Sequence, residues 1–170
     1  MIWLIGDTHF YHKNIIKYCL RPFKDEEEMN EIIISNWNKD IGENDIVYHL
    51  GDVILNRKDL LIDTIAKLNG KKYLIRGNHD KYISDGKFKE AGFINVYKDP
   101  IILSDVILSH APLKSTSNLM NVHAHTHNLD PRSKYFFYSN DTHRCISIEL
   151  TDYKPVSLKS ILEEIDNGKK

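Results

Sequence analysis

The apolar positions of the N-terminal half fall into three short runs, and each run ends at a glycine that is followed by a polar residue. Residues 2–6, 45–50 and 71–76 are rich in aliphatic and aromatic side chains, as expected of short buried strands. The glycine–polar pairs that close them are Gly6-Asp7, Gly51-Asp52 and Gly77-Asn78. The pattern therefore predicts three strands that deliver polar side chains from the same end.

Helical spacing separates these runs. After the candidate N-cap Asp25, three glutamates occupy a first helical turn, where carboxylates favour the helix dipole. Apolar residues then recur at three- and four-residue steps, at Met29, Ile32, Ile33 and Trp37. A second helix is predicted over residues 58–68, with Leu61, Ile65 and Leu68 facing inward. The resulting β-α-β-α-β order implies a parallel sheet.

The C-terminal half has a different pattern, because strand-like runs follow one another with short turns between them. After a short helix over residues 85–91, these runs are residues 93–97, 101–103, 106–109, 119–123 and 144–150. They predict a second, antiparallel or mixed sheet that packs on the first. A last helix begins after Ser157, with Leu158, Ile161, Leu162 and Ile165 on one face. Residues 129–142 lack a pattern and are predicted to form a mobile loop at the rim.

Composition and charge narrow the class of protein. A chain of 170 residues that is 41% hydrophobic can bury one core, so residues 1–170 are predicted to form a single domain. The formal net charge of −1 provides no overall field to attract nucleic acid or a membrane. Two cysteines make no disulfide framework, and no apolar run reaches the length of a signal peptide or a membrane span. A cytoplasmic protein with no membrane partner is expected.

The polar residues at the predicted strand ends are all types that bind metals or move protons. They are Asp7, His9, Asp52, Asn78, His79, His110, His125 and His127. The pairs Asp7/His9 and His125/His127 are two residues apart, so both members can face the same side of an extended segment. Mixed nitrogen and oxygen donors suit Mn, Fe, Zn or Ni better than Ca. The alternative for residues 77–80 is an ordinary turn, since Gly, Asn and Asp all favour turns.

Five motifs in order resemble those of the calcineurin-like metallophosphoesterases. They are Gly6-Asp7-Thr8-His9, Gly51-Asp52, Gly77-Asn78-His79-Asp80, Ser109-His110-Ala111-Pro112 and Ala124-His125-Thr126-His127. The resemblance covers residues 2–150 and implies an α/β fold, a four-layer α/β/β/α sandwich of two mixed sheets flanked by helices. It also implies two divalent ions, of which Mn is the first expectation. Asp7, His9 and His127 would bind one ion, Asn78, His110 and His125 would bind the other, and Asp52 would bridge them. His79 would be the acid near the leaving group, with Asp80 behind it.

One position departs from the family pattern, since Ala124 stands where glycine is usual. If this position has a positive φ, alanine would cost about 1 kcal/mol and could displace His125. Of the remaining polar residues, His12 is either a site residue or an exposed loop histidine. Arg21 is either an anion contact or part of a turn, and the turn is expected. Three further histidines are expected to be structural or to support a neighbour: His49, His123 and His143.

The resemblance implies hydrolysis of a phosphomonoester or phosphodiester by a metal-activated water, with a small phosphoester as the expected substrate. Nucleic acid is a possible partner, because the superfamily includes nucleases. Against a nuclease, the lysines at positions 71, 72, 81, 87 and 89 are scattered and lack interleaved exposed aromatic residues. A non-catalytic scaffold and a structural metalloprotein are further alternatives. The sequence leaves the oligomeric state open.

Overall fold

The computed structural model describes residues 1–116, 118–128 and 142–168, and two β-sheets form its centre. The strands of the first sheet are β1 (Ile2–Ile5), β2 (Ile46–His49), β3 (Lys71–Ile75), β4 (Phe93–Tyr97) and β9 (Val156–Ser157). Their order is β4-β3-β2-β1-β9. The first four are parallel, whereas β9 is antiparallel to β1, so the sheet is mixed.

The second sheet is also mixed. Its strands are β5 (Ile101–Leu103), β6 (Val106–Ser109), β7 (Met120–His123) and β8 (His143–Cys145), in that order. The pair β5–β6 is antiparallel, and the pairs β6–β7 and β7–β8 are parallel. The carboxyl ends of β6 and β7 therefore lie at one edge, as do those of β1, β2 and β3 in the first sheet.

Five helices accompany the sheets in the described residues. They are α1 (Lys13–Tyr18), α2 (Glu26–Asp40), α3 (Leu61–Ile65), α4 (Asp85–Glu90) and α5 (Leu158–Gly168). Asp25 caps α2 as predicted, because its side chain accepts a hydrogen bond from the Glu28 N–H at 2.9 Å. Three short 3-10 turns complete the elements: Lys58–Leu60, Asp80–Tyr82 and Ile148–Leu150.

Side chains on the two faces of the first sheet belong to two different apolar cores. In β1, Ile5 belongs to the core formed with Met29, Ile33 and Trp37 of α2. Leu4 points to the opposite face and belongs to the core shared with the second sheet. That inner core also contains Leu50, Ile75, Leu108, Val122, Ala124 and Ile146, together with Leu158 and Ile161 of α5. The prediction of two mixed sheets flanked by helices is confirmed.

Several predicted elements differ from the structure. Strand β4 was expected in the second sheet but pairs in parallel with β3, because α4 returns the chain to that edge and Phe88 packs on Phe93. The helix predicted over residues 58–68 is shorter, since it starts as a 3-10 turn and continues only as α3. The strand predicted over residues 144–150 ends at Cys145, and the 3-10 turn Ile148–Leu150 follows. Most of the predicted rim loop, residues 129–141, lies outside the described residues.

A helix that spans a membrane must be both long and apolar. Within residues 1–116, 118–128 and 142–168, no helix combines the length and the apolar character that a membrane span requires.

Candidate functional site

The loops that leave the strands meet at one place, and their backbone is unusual there. The Asp7 N–H donates to the Gly51 carbonyl at 3.0 Å, and the His9 N–H donates to the Asp52 carbonyl at 3.0 Å, so the first two loops are joined. Positive φ angles occur at Asp7 (57°), His9 (50°), Asp52 (57°), His125 (71°) and His127 (49°). Residues other than glycine rarely adopt this conformation, and such strain concentrates at functional sites.

Gly77 allows the loop that follows β3 to lie close to Asp52. A Cβ atom at this position would lie 2.1 Å from Asp52 Oδ1 and 2.5 Å from the Asp52 nitrogen. The absence of a side chain lets the His79 N–H reach Asp52 Oδ1 at 2.9 Å. The glycine of this motif therefore serves to bring Asp52 and His79 together.

Asp7, His9 and His127 form one group whose donor atoms lie within 4.8 Å of one another. Asp7 is fully buried, and its Oδ2 accepts a hydrogen bond from the His125 N–H at 2.8 Å. Among the described residues, Asp7 Oδ1 and both ring nitrogens of His9 are buried without a hydrogen-bond partner. Buried polar atoms normally have partners, so the unpartnered Asp7 oxygen and the one lone pair of a neutral His9 ring fit a bound cation.

A second group contains His110, Asn78 and His125. His110 Nδ1 lies 2.7 Å from the Leu50 carbonyl, which can only accept, so Nδ1 carries the proton and Nε2 carries the lone pair. That lone pair faces Asn78 Oδ1 at 3.0 Å and His125 Nδ1 at 3.0 Å. The His110 Nε2 lone pair and the Asn78 Oδ1 acceptor thus face each other with His125 Nδ1 beside them, an arrangement that a metal ion would stabilise.

Asp52 lies between the two groups. Its Oδ2 is 3.6 Å from His9 Nε2 of the first group and 3.5 Å from His110 Nε2 of the second. The geometry fits the bridging position that the sequence predicted for Asp52.

Burial shifts the pKa values of several ionisable groups around Asp52. Burial raises the pKa of Asp52 to about 7, and the charges of Asp7 and Asp80 act in the same direction. Burial also lowers the pKa of His125 to about 4 and that of His9 well below its usual value. The His9 and His125 imidazoles near Asp52 are therefore neutral, and divalent cations would supply positive charge there.

His79 lies at the open side of the centre. Its side chain is 40% exposed, and its Nε2 is 4.0 Å from Asp52 Oδ2. Its ring centroid is 5.4 Å from that of His9. Burial lowers the pKa of His79, against the opposing charge of Asp80. A histidine in this position can contact both the centre and a molecule arriving from solvent.

Asp80 does not occupy the predicted position behind the His79 ring. Its Oδ2 accepts hydrogen bonds from the Asp52 and Gly77 N–H groups, both at 2.8 Å, and its Oδ1 accepts one from Val53 at 3.1 Å. Within the described residues neither oxygen bonds to the ring. The contacts of Asp80 instead hold the loop of Asp52 against the loop of Gly77.

Arg21 and Glu149 are functional neighbours that the sequence analysis did not identify. Arg21 was expected in a turn, but its buried guanidinium donates to the carbonyls of Asp7 (2.7 Å) and Thr8 (3.0 Å) and to Glu149 Oε1 (2.7 Å). The same Glu149 oxygen lies 3.0 Å from His127 Nδ1. Glu149 thereby orients His127. The only available sequence signal was a single acid inside the apolar run of residues 145–150.

The charges around His127 are tightly linked. Burial lowers its pKa, but the charge of Asp7 and the hydrogen bonds that its ring donates to Cys19 and Glu149 outweigh burial and raise it to about 11. The pKa of Glu149 falls to about 2, because the His127 hydrogen bond and the Arg21 charge outweigh its burial. Binding of a metal ion by His127 would require release of this proton.

The remaining histidines have separate roles. His12 is buried beside the centre, with its ring centroid 5.3 Å from that of His9, so it belongs to the site rather than to an exposed loop. His49 bonds to Thr8 Oγ1 at 3.0 Å and accepts from the Gly51 N–H at 3.1 Å. His123 Nδ1 lies 2.8 Å from the Ala124 carbonyl, and His143 Nε2 lies 2.8 Å from the Leu113 carbonyl. These contacts are structural.

Ala124 does not have the positive φ that was considered for this position. The left-handed residue is the next one, His125. The Ala124 side chain is fully buried, and a Cβ atom added at Gly6 would lie only 2.5 Å from it. The methyl group therefore fills space that faces Gly6 and does not strain the backbone.

The rim of the site carries exposed aromatic rings beside lysines, contrary to the expectation from sequence. Tyr82 is 64% exposed, and the Nζ atoms of Lys58 and Lys81 lie 4.8 and 4.9 Å from its ring centroid. Tyr18 is 70% exposed, and its ring centroid is 6.3 Å from that of His12. Lys58 and Tyr82 are 24 positions apart in sequence, so their proximity depends on the fold.

Two known proteins are similar to this chain in sequence. The uncharacterized protein MJ1445 of Methanocaldococcus jannaschii is 42% identical over 177 residues, which covers 99% of this chain and 93% of that protein. The Gene 66 protein of Mycobacterium phage L5 is 30% identical over 82 residues, covering 46% of this chain and 39% of that protein.

Two solved structures share the fold. A protein of unknown function, AQ665 from Aquifex aeolicus, has a TM-score of 0.74 and 28% identity, with coverage of 97% of this chain and 99% of that one. The Pseudomonas putida nuclease MPE has a TM-score of 0.55 and 21% identity, with coverage of 74% and 61% respectively, and this likeness concerns the fold alone. The family model described as calcineurin-like phosphoesterase matches residues 1–161. The chain therefore belongs to the calcineurin-like phosphoesterase family.

Proposed function

We propose that this protein hydrolyses a phosphomonoester or phosphodiester at a dinuclear metal site. The observation that carries the proposal is the pair of ligand groups that share Asp52. In the first group, Asp7 Oδ1 and the His9 ring nitrogens are buried without a hydrogen-bond partner among the described residues. Family membership supports a metal-dependent hydrolase of phosphoester bonds. When bound, two divalent ions would offset the negative charge of a phosphoryl group and lower the pKa of the attacking water.

The two groups of neighbouring donor atoms support an assignment of ligands to each ion. We assign Asp7, His9 and His127 to one ion, and Asn78, His110 and His125 to the other, with Asp52 between them. Nitrogen and oxygen donors in similar numbers suit Mn first, with Fe, Zn or Ni as alternatives. Arg21 and Glu149 would keep Asp7 and His127 in place from behind.

His79 is the residue we assign to the leaving group. Its Nε2 lies close to Asp52 yet is open to solvent, so it can reach a substrate without being needed as a ligand. Transfer of its proton to the departing oxygen would remove the need to expel an alkoxide. General acid catalysis of this kind contributes about 10²–10⁴-fold to the rate.

The test is to substitute His79→Gln and to measure hydrolysis of two ester classes with manganese present. Turnover of an alkyl or ribose ester should fall by about 10²–10⁴-fold, and that of a nitrophenyl ester should fall less, since nitrophenolate leaves without a proton. Metal content should be unchanged. His143→Gln is the matched control, because His143 lies in β8 and bonds to a backbone carbonyl. Loss of a metal ion would show that His79 is a ligand, and equal losses for both esters would show that it acts on the phosphoryl charge.

The sequence alone favours a small phosphoester as substrate, and nucleic acid is the second candidate. The exposed Tyr82 ring beside two lysines is the observation that favours it, since bases stack on aromatic rings and phosphates attract cations. A non-catalytic scaffold would show no manganese-dependent activity on a chromogenic phosphodiester. The cytoplasmic location stays a prediction.

A further inference from the structure

Two exposed tyrosines adjoin the residues at the centre of the site. His79 is the N-cap of the 3-10 turn Asp80–Tyr82, and side chains three residues apart in such a turn lie on the same side. Tyr82 is therefore one turn, about 6 Å of helix rise, from His79. The Tyr18 ring lies next to the His12 ring, and the His12 ring centroid is 6.4 Å from that of His79. Both phenol rings are mostly exposed, so their faces are accessible to a bound molecule.

The surface around Tyr18 and Tyr82, which we call the rim, carries several lysines. Lys58 and Lys81 flank Tyr82, and the exposed Lys13 and Lys17 lie on α1 with Tyr18. No ion pair involves any of these four lysines within the part of the chain that the structure describes. The nearest acid in sequence to Lys58, Asp59, is already paired with Arg57 at 2.8 Å. The rim can therefore attract phosphate groups although the whole protein is nearly neutral.

We propose that this rim binds single-stranded nucleic acid, with bases stacked on Tyr18 and Tyr82 and backbone phosphates held by the neighbouring lysines. The inference rests on the proposed phosphoesterase function, because it names the substrate that the same centre would cleave. Aromatic rings beside cations along an open groove are the usual means of binding single strands without sequence preference. A base paired in a duplex has no free face for such rings, so unpaired strands are preferred.

The test measures binding separately from hydrolysis. Fluorescein-labelled oligothymidylate and oligouridylate of about twelve nucleotides, and a matched DNA duplex, are titrated in EDTA and followed by fluorescence anisotropy. Tyr18→Ala and Tyr82→Ala should each weaken binding of a single strand by roughly 5- to 150-fold, the range expected for loss of one stacked base. Lys58→Gln and Lys81→Gln should each reduce the slope of log affinity against log salt by about 0.7. Lys39→Gln, an exposed lysine on α2, is the control and should leave both quantities unchanged.

The outcomes separate this inference from the proposed function. Single-strand binding that depends on both tyrosines supports it, and the stronger of the two oligonucleotides identifies the sugar. Affinity within about twofold of wild type in both tyrosine variants, or equal affinity for the duplex, would overturn it. Hydrolysis of a chromogenic phosphodiester by the wild-type protein with manganese is measured in parallel. Activity there without single-strand binding would overturn the inference and leave the phosphoesterase function standing, whereas binding without any hydrolysis would contradict the function alone.

Discussion

Replacing Asp80 by asparagine distinguishes two roles for this buried carboxylate. If Asp80 orients His79, as the sequence suggested, Asp80→Asn should spare the fold and slow only the chemistry. The structure instead shows the two oxygens accepting N–H groups from Asp52, Val53 and Gly77. Asparagine keeps one acceptor oxygen but directs an NH₂ group at one or two of these donors. We therefore expect lower stability and weaker metal binding.

The expected magnitude follows from these three contacts. One buried N–H left without an acceptor costs about 1–3 kcal/mol, and the remaining hydrogen bonds lose their ionic partner at about 1 kcal/mol each. Burial raises the pKa of Asp80, so a neutral residue recovers part of this cost by avoiding a buried charge. The net destabilisation should be about 2–4 kcal/mol, which lowers the Tm by roughly 4–16 °C.

Thermal unfolding followed by circular dichroism, in EDTA and at increasing manganese concentration, measures both effects. The control is Asp63→Asn, which removes an exposed carboxylate from α3 and should leave the Tm within about 1 °C. A variant with wild-type Tm and manganese affinity, but with slower turnover of esters that have poor leaving groups, would refute the structural argument. That result would restore the role of Asp80 behind His79.

Three further predictions concern neighbouring residues. Asp52→Asn should lower the occupancy of both metal ions in elemental analysis, because the shared ligand loses its charge; a fully active protein that holds one ion would contradict the dinuclear account. Gly6→Ala should destabilise the protein by about 1–3 kcal/mol in urea, since its Cβ would lie 2.5 Å from that of Ala124. Ala124→Gly alone should cost roughly 0.5–1 kcal/mol but should partly rescue Gly6→Ala, and strict additivity in the cycle would disprove the contact. Burial lowers the pKa of His49 to about 3. As the pH falls below about 6.5, the unfolded chain binds a proton at His49 that the folded chain does not, so the free energy of unfolding decreases. Between about pH 7.5 and about pH 5 the loss of stability from His49 amounts to about 2 kcal/mol. His49→Gln should therefore reduce the slope of the urea midpoint against pH. An unchanged slope would show that His49 does not contribute to the pH dependence of stability.

The polar residues that meet at the candidate site could be identified from sequence because their signals are local. A short apolar run that ends in Gly-Asp or Gly-Asn-His specifies both the strand and the polar residue at its carboxyl end. Parallel order then places those ends at one edge, where the structure brings together all seven predicted ligands. The same local reasoning placed β4 in the wrong sheet, because the run of residues 93–97 looks the same whichever strand it pairs with.

Only the tertiary structure decided the contacts that support the site. Arg21 and Glu149 are 128 positions apart, and nothing near either residue indicates that they meet beneath Asp7 and His127. The positive φ at His125 rather than Ala124, the three N–H groups at Asp80 and the lysines around Tyr82 likewise depend on how separate loops pack. A sequence pattern reports whether a side chain is buried and how the chain turns. Which partner a buried charge or an exposed ring meets is determined by long-range packing, which local periodicity does not encode.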